Sequence, residues 1–192
     1  MQDSFVEPIK LPELPLWEQI KNERRMISFD LELTARCNNN CRHCYINLPA
    51  TDESVVKNEL SLSQIKDIVN QAVDLGVLWC LLTGGEPLLR EDFFDIYLYL
   101  KKKGLLISVF TNATLLKAKH IEFFKKYPPR DIEITEYGVT KETYERVTRI
   151  AGSFDAFICG VNLLLKNDIK VRFKAMALRA NVGELLQIAS FC

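Results

Sequence analysis

Residues 27–44 read ISFDLELTARCNNNCRHC. The first eight alternate strictly, with Ile27, Phe29, Leu31 and Leu33 set against Ser28, Asp30, Glu32 and Thr34. That period of two predicts a strand with one apolar face. Cys37, Cys41 and Cys44 follow at once, separated by asparagines, an arginine and a histidine. Three thiols so spaced do not share one helix face, so they predict a loop wrapped around a ligand. A cubane iron–sulfur cluster normally takes four thiolates. Three leave one iron open to a small molecule, the arrangement a catalytic metal requires. The spacing also admits a zinc site completed by His43 or His120, although no second ligand pair follows further along. Three unliganded buried thiols would suit a loop this rich in Asn and Arg poorly.

Outward from this stretch the chain alternates strands with helices. Ser61 with Gln64 three residues on is a capping-box pattern. Ile65, Ile68, Val69 and Ala72 then form an apolar helical stripe that Gly76 closes. Further strands are predicted at residues 77–83, 105–111, 131–137 and 171–178. Helices are predicted at 92–103, 114–126, 140–148, 153–167 and 182–191. Such alternation implies a parallel sheet with right-handed crossovers. Strands one, four and five are not uniformly apolar. They put Asp30 and Glu32, Glu133 and Thr135, and Arg172 and Lys174 on one side. That suits a curved sheet with a polar interior; a solvated sheet edge is the alternative. Residues 1–26 read as a lead-in, with Pro8, Pro12 and Pro15 opposing regular structure ahead of a short helix near Trp17.

The 192 residues suit one domain with a sizeable core. Twenty-five basic side chains balance 25 acidic ones, so no net field draws nucleic acid or an anionic membrane, and neither is expected as a partner. No apolar run approaches the roughly 20 residues that span a bilayer, and no secretory signal opens the chain. A cytoplasmic, reducing location is expected, where six cysteines serve as ligands or buried thiols rather than disulfides. Cys80 and Cys159 are expected to be buried singly.

The cysteine triad after strand one and Thr83-Gly84-Gly85-Glu86-Pro87 after strand two together resemble the radical S-adenosylmethionine superfamily. Residues 27–192 carry that likeness. The stretches CRHCY, TGGEPLLR, FTNATLL, ITEYG and ETYERVTR resemble more narrowly the branch bearing a SPASM-type extension, whose members modify peptides or proteins or activate sulfatases. The resemblance implies an α/β fold, a partial (β/α) barrel with about five βα units present. The family has six strands, so the last strand, like the extension, is expected to be missing and the chain to be an incomplete core of marginal stability.

By that resemblance Cys37, Cys41 and Cys44 bind three irons of a [4Fe–4S] cluster, and S-adenosylmethionine chelates the fourth. His43 stands where the backbone meets the adenine, or packs the loop; Tyr45 is read as packing. Gly84, Gly85, Glu86 and Pro87 belong to the segment used for the methionine amino group, where bare glycines admit a ligand and Glu86 can accept from an ammonium. Asn112 and Thr135 end strands three and four, and a hydroxyl at Thr135 could reach ribose or carboxylate. Glu136 departs from the apolar residue usual there. Asn181 and Glu184 resemble a position near the nucleoside, with helix capping as the alternative. The implied reaction is reductive cleavage of S-adenosylmethionine to a 5′-deoxyadenosyl radical that abstracts hydrogen, with a peptide or protein as substrate. A one-electron donor such as flavodoxin or ferredoxin is implied as partner. A non-catalytic iron–sulfur module and a zinc-binding structural domain are the alternatives.

Overall fold

The structure is a computed structural model describing residues 15–46 and 48–192. The proline-broken lead-in expected at Pro8 and Pro12 lies outside the described residues. Helix α1 (Pro15–Glu23) precedes strand β1 (Ser28–Glu32). A two-residue ladder, β2 (Arg36–Cys37) with β3 (Leu48–Pro49), brackets the cysteine loop. Then come α2 (Glu53–Asn58), α3 (Leu62–Asp74), β4 (Trp79–Thr83), α4 (Phe93–Lys102), β5 (Leu106–Thr111) and α5 (Ala118–Lys126). The chain continues through β6 (Asp131–Glu136), α6 (Lys141–Thr148), α7 (Ser153–Leu165), β7 (Val171–Ala175) and α8 (Leu185–Phe191).

Five strands form one parallel sheet in the order β1-β4-β5-β6-β7, each beside its predecessor along the chain. This is the expected open α/β half-barrel. Ser61 caps α3 with the reciprocal Gln64 bond, and Gly76 follows at φ +88°. Ile65, Val69 and Ala72 turn inward, while Ile68 lies at the stripe's exposed margin. The helix expected from residue 114 starts only at Ala118, because Asn112 Oδ1 takes both the amide and the hydroxyl of Thr114 and holds the chain in a turn.

One face of the sheet packs on the helices through Leu31, Leu82, Ile107, Val109, Ile132 and Ile134, all buried. At ordinary burial values this row and its helical partners carry most of the fold's stabilisation. Paired residues of parallel strands share a face, so the registers Asp30–Leu81, Ser108–Asp131, Glu133–Arg172 and Thr135–Lys174 place the other set on the inner side. The charged residues that alternate along the strands do share this inner side, together with Trp79, Leu81 and Phe110. Cys80 is buried, but Cys159 is exposed. The reason is helical phase: Ser153, Phe157, Gly160, Val161 and Leu164 of α7 face inward, leaving position 159 on the far side. Among the described residues no single helix is long and apolar enough to cross a membrane.

Candidate functional site

The cysteine loop leaves β1 and is stitched by main chain to the turn after β4. Gly85 N donates to Thr34 O at 2.7 Å and Glu86 N to Arg36 O at 2.8 Å. Gly84 adopts φ +132°, and a Cβ there would come within 3.1 Å of Thr34 N. A Cβ on Gly85 would lie 2.6 Å from Arg36 C and 2.9 Å from Ala35 O. The two glycines therefore serve first to let one backbone lie against another, immediately before Cys37. The far side of the loop is held by α6, with Asn40 N on Thr148 O and Arg42 N on Val147 O, both at 3.0 Å.

A second support is ionic and was not legible beforehand. Arg36, adjacent to Cys37, donates through Nε to Glu59 Oε1 at 2.8 Å, and Thr34 Oγ1 donates to the same oxygen at 2.5 Å. Arg90 reaches Glu59 at 3.5 Å, pairs with Asp92 at 2.7 Å and donates to the Leu33 and Leu60 carbonyls. All but Asp92 are nearly buried, so each charge relies on the others. The distance in sequence between Glu59 and either arginine explains why spacing gave no sign of it.

These supports leave a cavity of ≈ 260 Å³ at the carboxyl ends of the strands. Cys37, Cys41 and Cys44 line it together with His43, Gly84, Gly85, Asn112 and Thr135. Eight of the expected site residues are thus brought to one space. Tyr137, Asn39, Phe110 and Met176 also line it; Phe110 and Tyr137 fall within the FTNATLL and ITEYG stretches, which gave them no individual role. The Tyr137 ring lies 5.1 Å from that of His43, and their polar atoms are 3.4 Å apart. Tyr45 does not pack: it is 85% exposed and donates to Glu32 at 3.0 Å.

Four expected residues, Glu86, Pro87, Asn181 and Glu184, are placed elsewhere. Glu86 is wholly buried and outside the cavity, its carboxylate taken up by Thr111 Oγ1 (2.7 Å), Asn112 N (2.8 Å) and Leu88 N (3.1 Å). It ties the ends of β4 and β5 together instead of offering an oxygen to an ammonium. Burial pushes its carboxyl up to about 7, against the pull of those three donors. Pro87 is buried in the first position of the following turn and points away as well. Asn181 is spent on the loop after β7: its amide donates to Tyr137 O and Met176 O, and its Oδ1 accepts from Leu178 N. Glu184 caps α6 from a distance, accepting from Val139 N and from the backbone and hydroxyl of Thr140. The capping alternative accounts for Glu184, whereas the Asn181 side chain makes no cap bond and ties the loop instead. Glu136 is buried at the end of β6 and accepts from Gly138 N at 2.9 Å; desolvation lifts it to about 7.

The donor set fits a cluster. Burial pushes the Cys37 thiol up to about 12 and the Cys41 thiol up to about 11, so bare they stay protonated, and bound cations would reverse that. Asn39 N donates to Cys37 Sγ at 3.4 Å and Asn112 Nδ2 approaches it at 3.7 Å, bonds that favour a thiolate. The Asn39 amide, 5% exposed, has neither polar atom partnered, a vacancy that a polar group in the cavity would fill. Zinc fits less well. His120 sits on α5, bonded to Lys117 N and stacked near Phe94, away from the thiols. Among the described residues no three His, Cys, Asp or Glu side chains converge as a single ion demands.

Comparison with known proteins agrees with this geometry. A family model described as "Radical SAM superfamily" matches residues 31–192. An AdoMet-dependent heme synthase of Methanosarcina barkeri is 30% identical over 85% of this chain and 46% of its own length. The antilisterial bacteriocin subtilosin biosynthesis protein AlbA of Bacillus subtilis is 32% identical over 82% of this chain and 35% of its own. Among solved structures, Streptococcus suis SuiB bound to S-adenosylmethionine superposes with a TM-score of 0.69 at 19% identity, over 91% of this chain and 39% of that one. The same protein bound to its precursor peptide SuiA gives 0.73. The chain thus spans less than half the length of these relatives.

Proposed function

Because the chain belongs to the radical S-adenosylmethionine superfamily, whose members work with a [4Fe–4S] cluster and S-adenosylmethionine, we propose that it is the core of an enzyme abstracting hydrogen from a peptide or protein. Cys37, Cys41 and Cys44 would hold the cluster, leaving one iron for S-adenosylmethionine beside Gly84, Gly85, Asn112 and Thr135. With both bound, and one electron delivered by a donor such as flavodoxin or ferredoxin, they would supply reductive cleavage of the sulfonium C–S bond and a carbon radical for hydrogen abstraction.

The chain's own residues bind, orient and seal. Asn39 and Asn112 direct N–H groups at Cys37 and so favour its thiolate. The glycine turn and the Glu59 cluster fix the position of the loop's first ligand. His43 and Tyr137 wall off one side of the cavity and limit water there. The observation that carries this reading is the gathering of three thiols, two bare glycines and the strand-end polar residues around one cavity. The peptide class is supported by the likeness to AlbA and SuiB, alongside relatives named heme synthase and probable GTP 3′,8-cyclase.

Anaerobic reconstitution of the full chain with iron and sulfide should load about four irons per chain. Dithionite with S-adenosylmethionine should then yield 5′-deoxyadenosine, and Cys41→Ala should load no cluster. One zinc and no iron after reconstitution would overturn the reading, and a loaded cluster without cleavage would leave only a binding module.

A further inference from the structure

On the inner face of the sheet, acids and bases alternate in a ladder that ends at the cavity. Ser108 Oγ donates to Asp131 Oδ1 at 2.5 Å, and Arg172 Nη2 pairs with Asp131 Oδ2 at 2.9 Å. Arg172 Nη1 reaches Glu133 Oε1 at 3.3 Å, and Lys174 pairs with the other oxygen of Glu133. The Lys174 ammonium also lies 4.7 Å from the centre of the Phe110 ring. Phe110, Thr135 and Met176 line the cavity, Thr135 is the register partner of Lys174, and Met176 immediately follows the end of β7. Lys174 therefore stands at the cavity's margin.

Burial decides what the ladder shows to the interior. The Asp131 and Glu133 side chains are 0% and 8% exposed, while those of Arg172 and Lys174 are 46% and 43% exposed. The acids are sealed beneath and the cationic heads face the open side. Each cation keeps donors beyond those its acids take, and these are open to solvent. At the other edge of the sheet, about 19 Å away by strand spacing, the same face presents exposed Asp30 and Glu32 without a cationic partner among the described residues. The charges of the ladder balance, but its half-exposed members next to the cavity are the cations, whereas the exposed groups at the β1 edge are acids.

We propose that Lys174, supported by Arg172, is a substrate-binding site for a carboxylate: the segment brought to the cavity carries an acidic group that docks at this end of the sheet. The inference rests on the radical S-adenosylmethionine reading and names the substrate chemistry of that same site. Glu133 and Phe110 act as positioning residues, the first holding the ammonium by charge and the second by its ring face.

The test uses the iron-loaded full chain with S-adenosylmethionine and two ten-residue Gly/Ser peptides bearing a neutral fluorophore, one with a single Glu and its twin with Gln. Fluorescence anisotropy should show the Glu peptide bound about five- to tenfold more tightly, a preference shrinking toward roughly 0.3 M salt. Lys174→Met should abolish the preference while retaining full iron content, Lys174→Arg should restore it, and Lys170→Met, at an exposed lysine just before β7 and outside the cavity lining, should leave it intact. Equal binding of the two peptides by the native chain overturns the proposal, as does a Lys174→Met variant that weakens both alike. Failure of the native chain to load iron or cleave S-adenosylmethionine would instead count against the radical S-adenosylmethionine reading itself.

Discussion

Replacing Gly85 by Ala probes the junction between the two motifs directly. The added methyl would sit 2.6 Å from Arg36 C and 2.9 Å from Ala35 O, where ordinary contact needs about 3.4–4 Å. All of these neighbours are backbone, so nothing can swing aside, and the two segments must part by about 1 Å. Overpacking of this kind costs about 1–3 kcal/mol. Stretching Gly85 N–Thr34 O and Glu86 N–Arg36 O adds about 0.5–1.5 kcal/mol for each bond lost. The stiffer unfolded chain returns about 0.4–1 kcal/mol. A net loss of about 2–4 kcal/mol is expected, a large share of a domain's stability. Since Arg36 adjoins Cys37, the same displacement should lower iron content after reconstitution. Urea unfolding of both proteins, with iron analysis on each, measures the two effects together. Gly183→Ala is the control: it has no neighbour within 4 Å of the new Cβ and should change stability by less than about 0.5 kcal/mol. If Gly85→Ala keeps the native urea midpoint and full iron, the glycines do not set the loop.

Two further outcomes follow from buried charges. Glu59→Gln leaves the nearly buried Arg36 and Arg90 facing a neutral amide, and urea unfolding should show a loss of about 2–4 kcal/mol, with Asp92 sparing part of it; a neutral result would mean the cluster is idle. His120 is buried, and desolvation holds its imidazole down at about 4, below the usual 6.5. The unfolded chain therefore binds its proton first, so this group's contribution is whole above about pH 6.5 and is lost as pH falls toward 4, on the order of 2 kcal/mol. His120→Asn should flatten the stability profile between pH 7 and 5 relative to the native chain, and parallel profiles would exclude the effect.

The motifs were legible because their chemistry is local. Cys37, Cys41 and Cys44 are close in sequence, so their spacing alone implies a shared ligand. The alternation of β1 already separated Asp30 and Glu32 from Leu31 and Leu33, as the sheet then does. Glu86 shows where that legibility stops. A carboxylate after two glycines looks ready for a ligand, yet three donors from β5 and its own turn claim it, and only the packing of β4 beside β5 reveals them. ITEYG contains Tyr137 but gives it no role, because an aromatic at a strand end carries no spacing signal until it meets His43 across the cavity. Cys159 was misjudged because a single thiol on an apolar helix does not reveal its helical phase.

By itself the sequence determined the parallel strand–helix order, the polar inner row and the three-thiol loop, since periodicity and near-neighbour spacing depend on a few consecutive residues. Tertiary structure alone decided which polar groups face the cavity and which are consumed in holding it. That choice depends on partners such as Glu59 for Arg36, Thr111 for Glu86 and Glu133 for Lys174, which lie more than twenty residues apart and meet only when the sheet assembles.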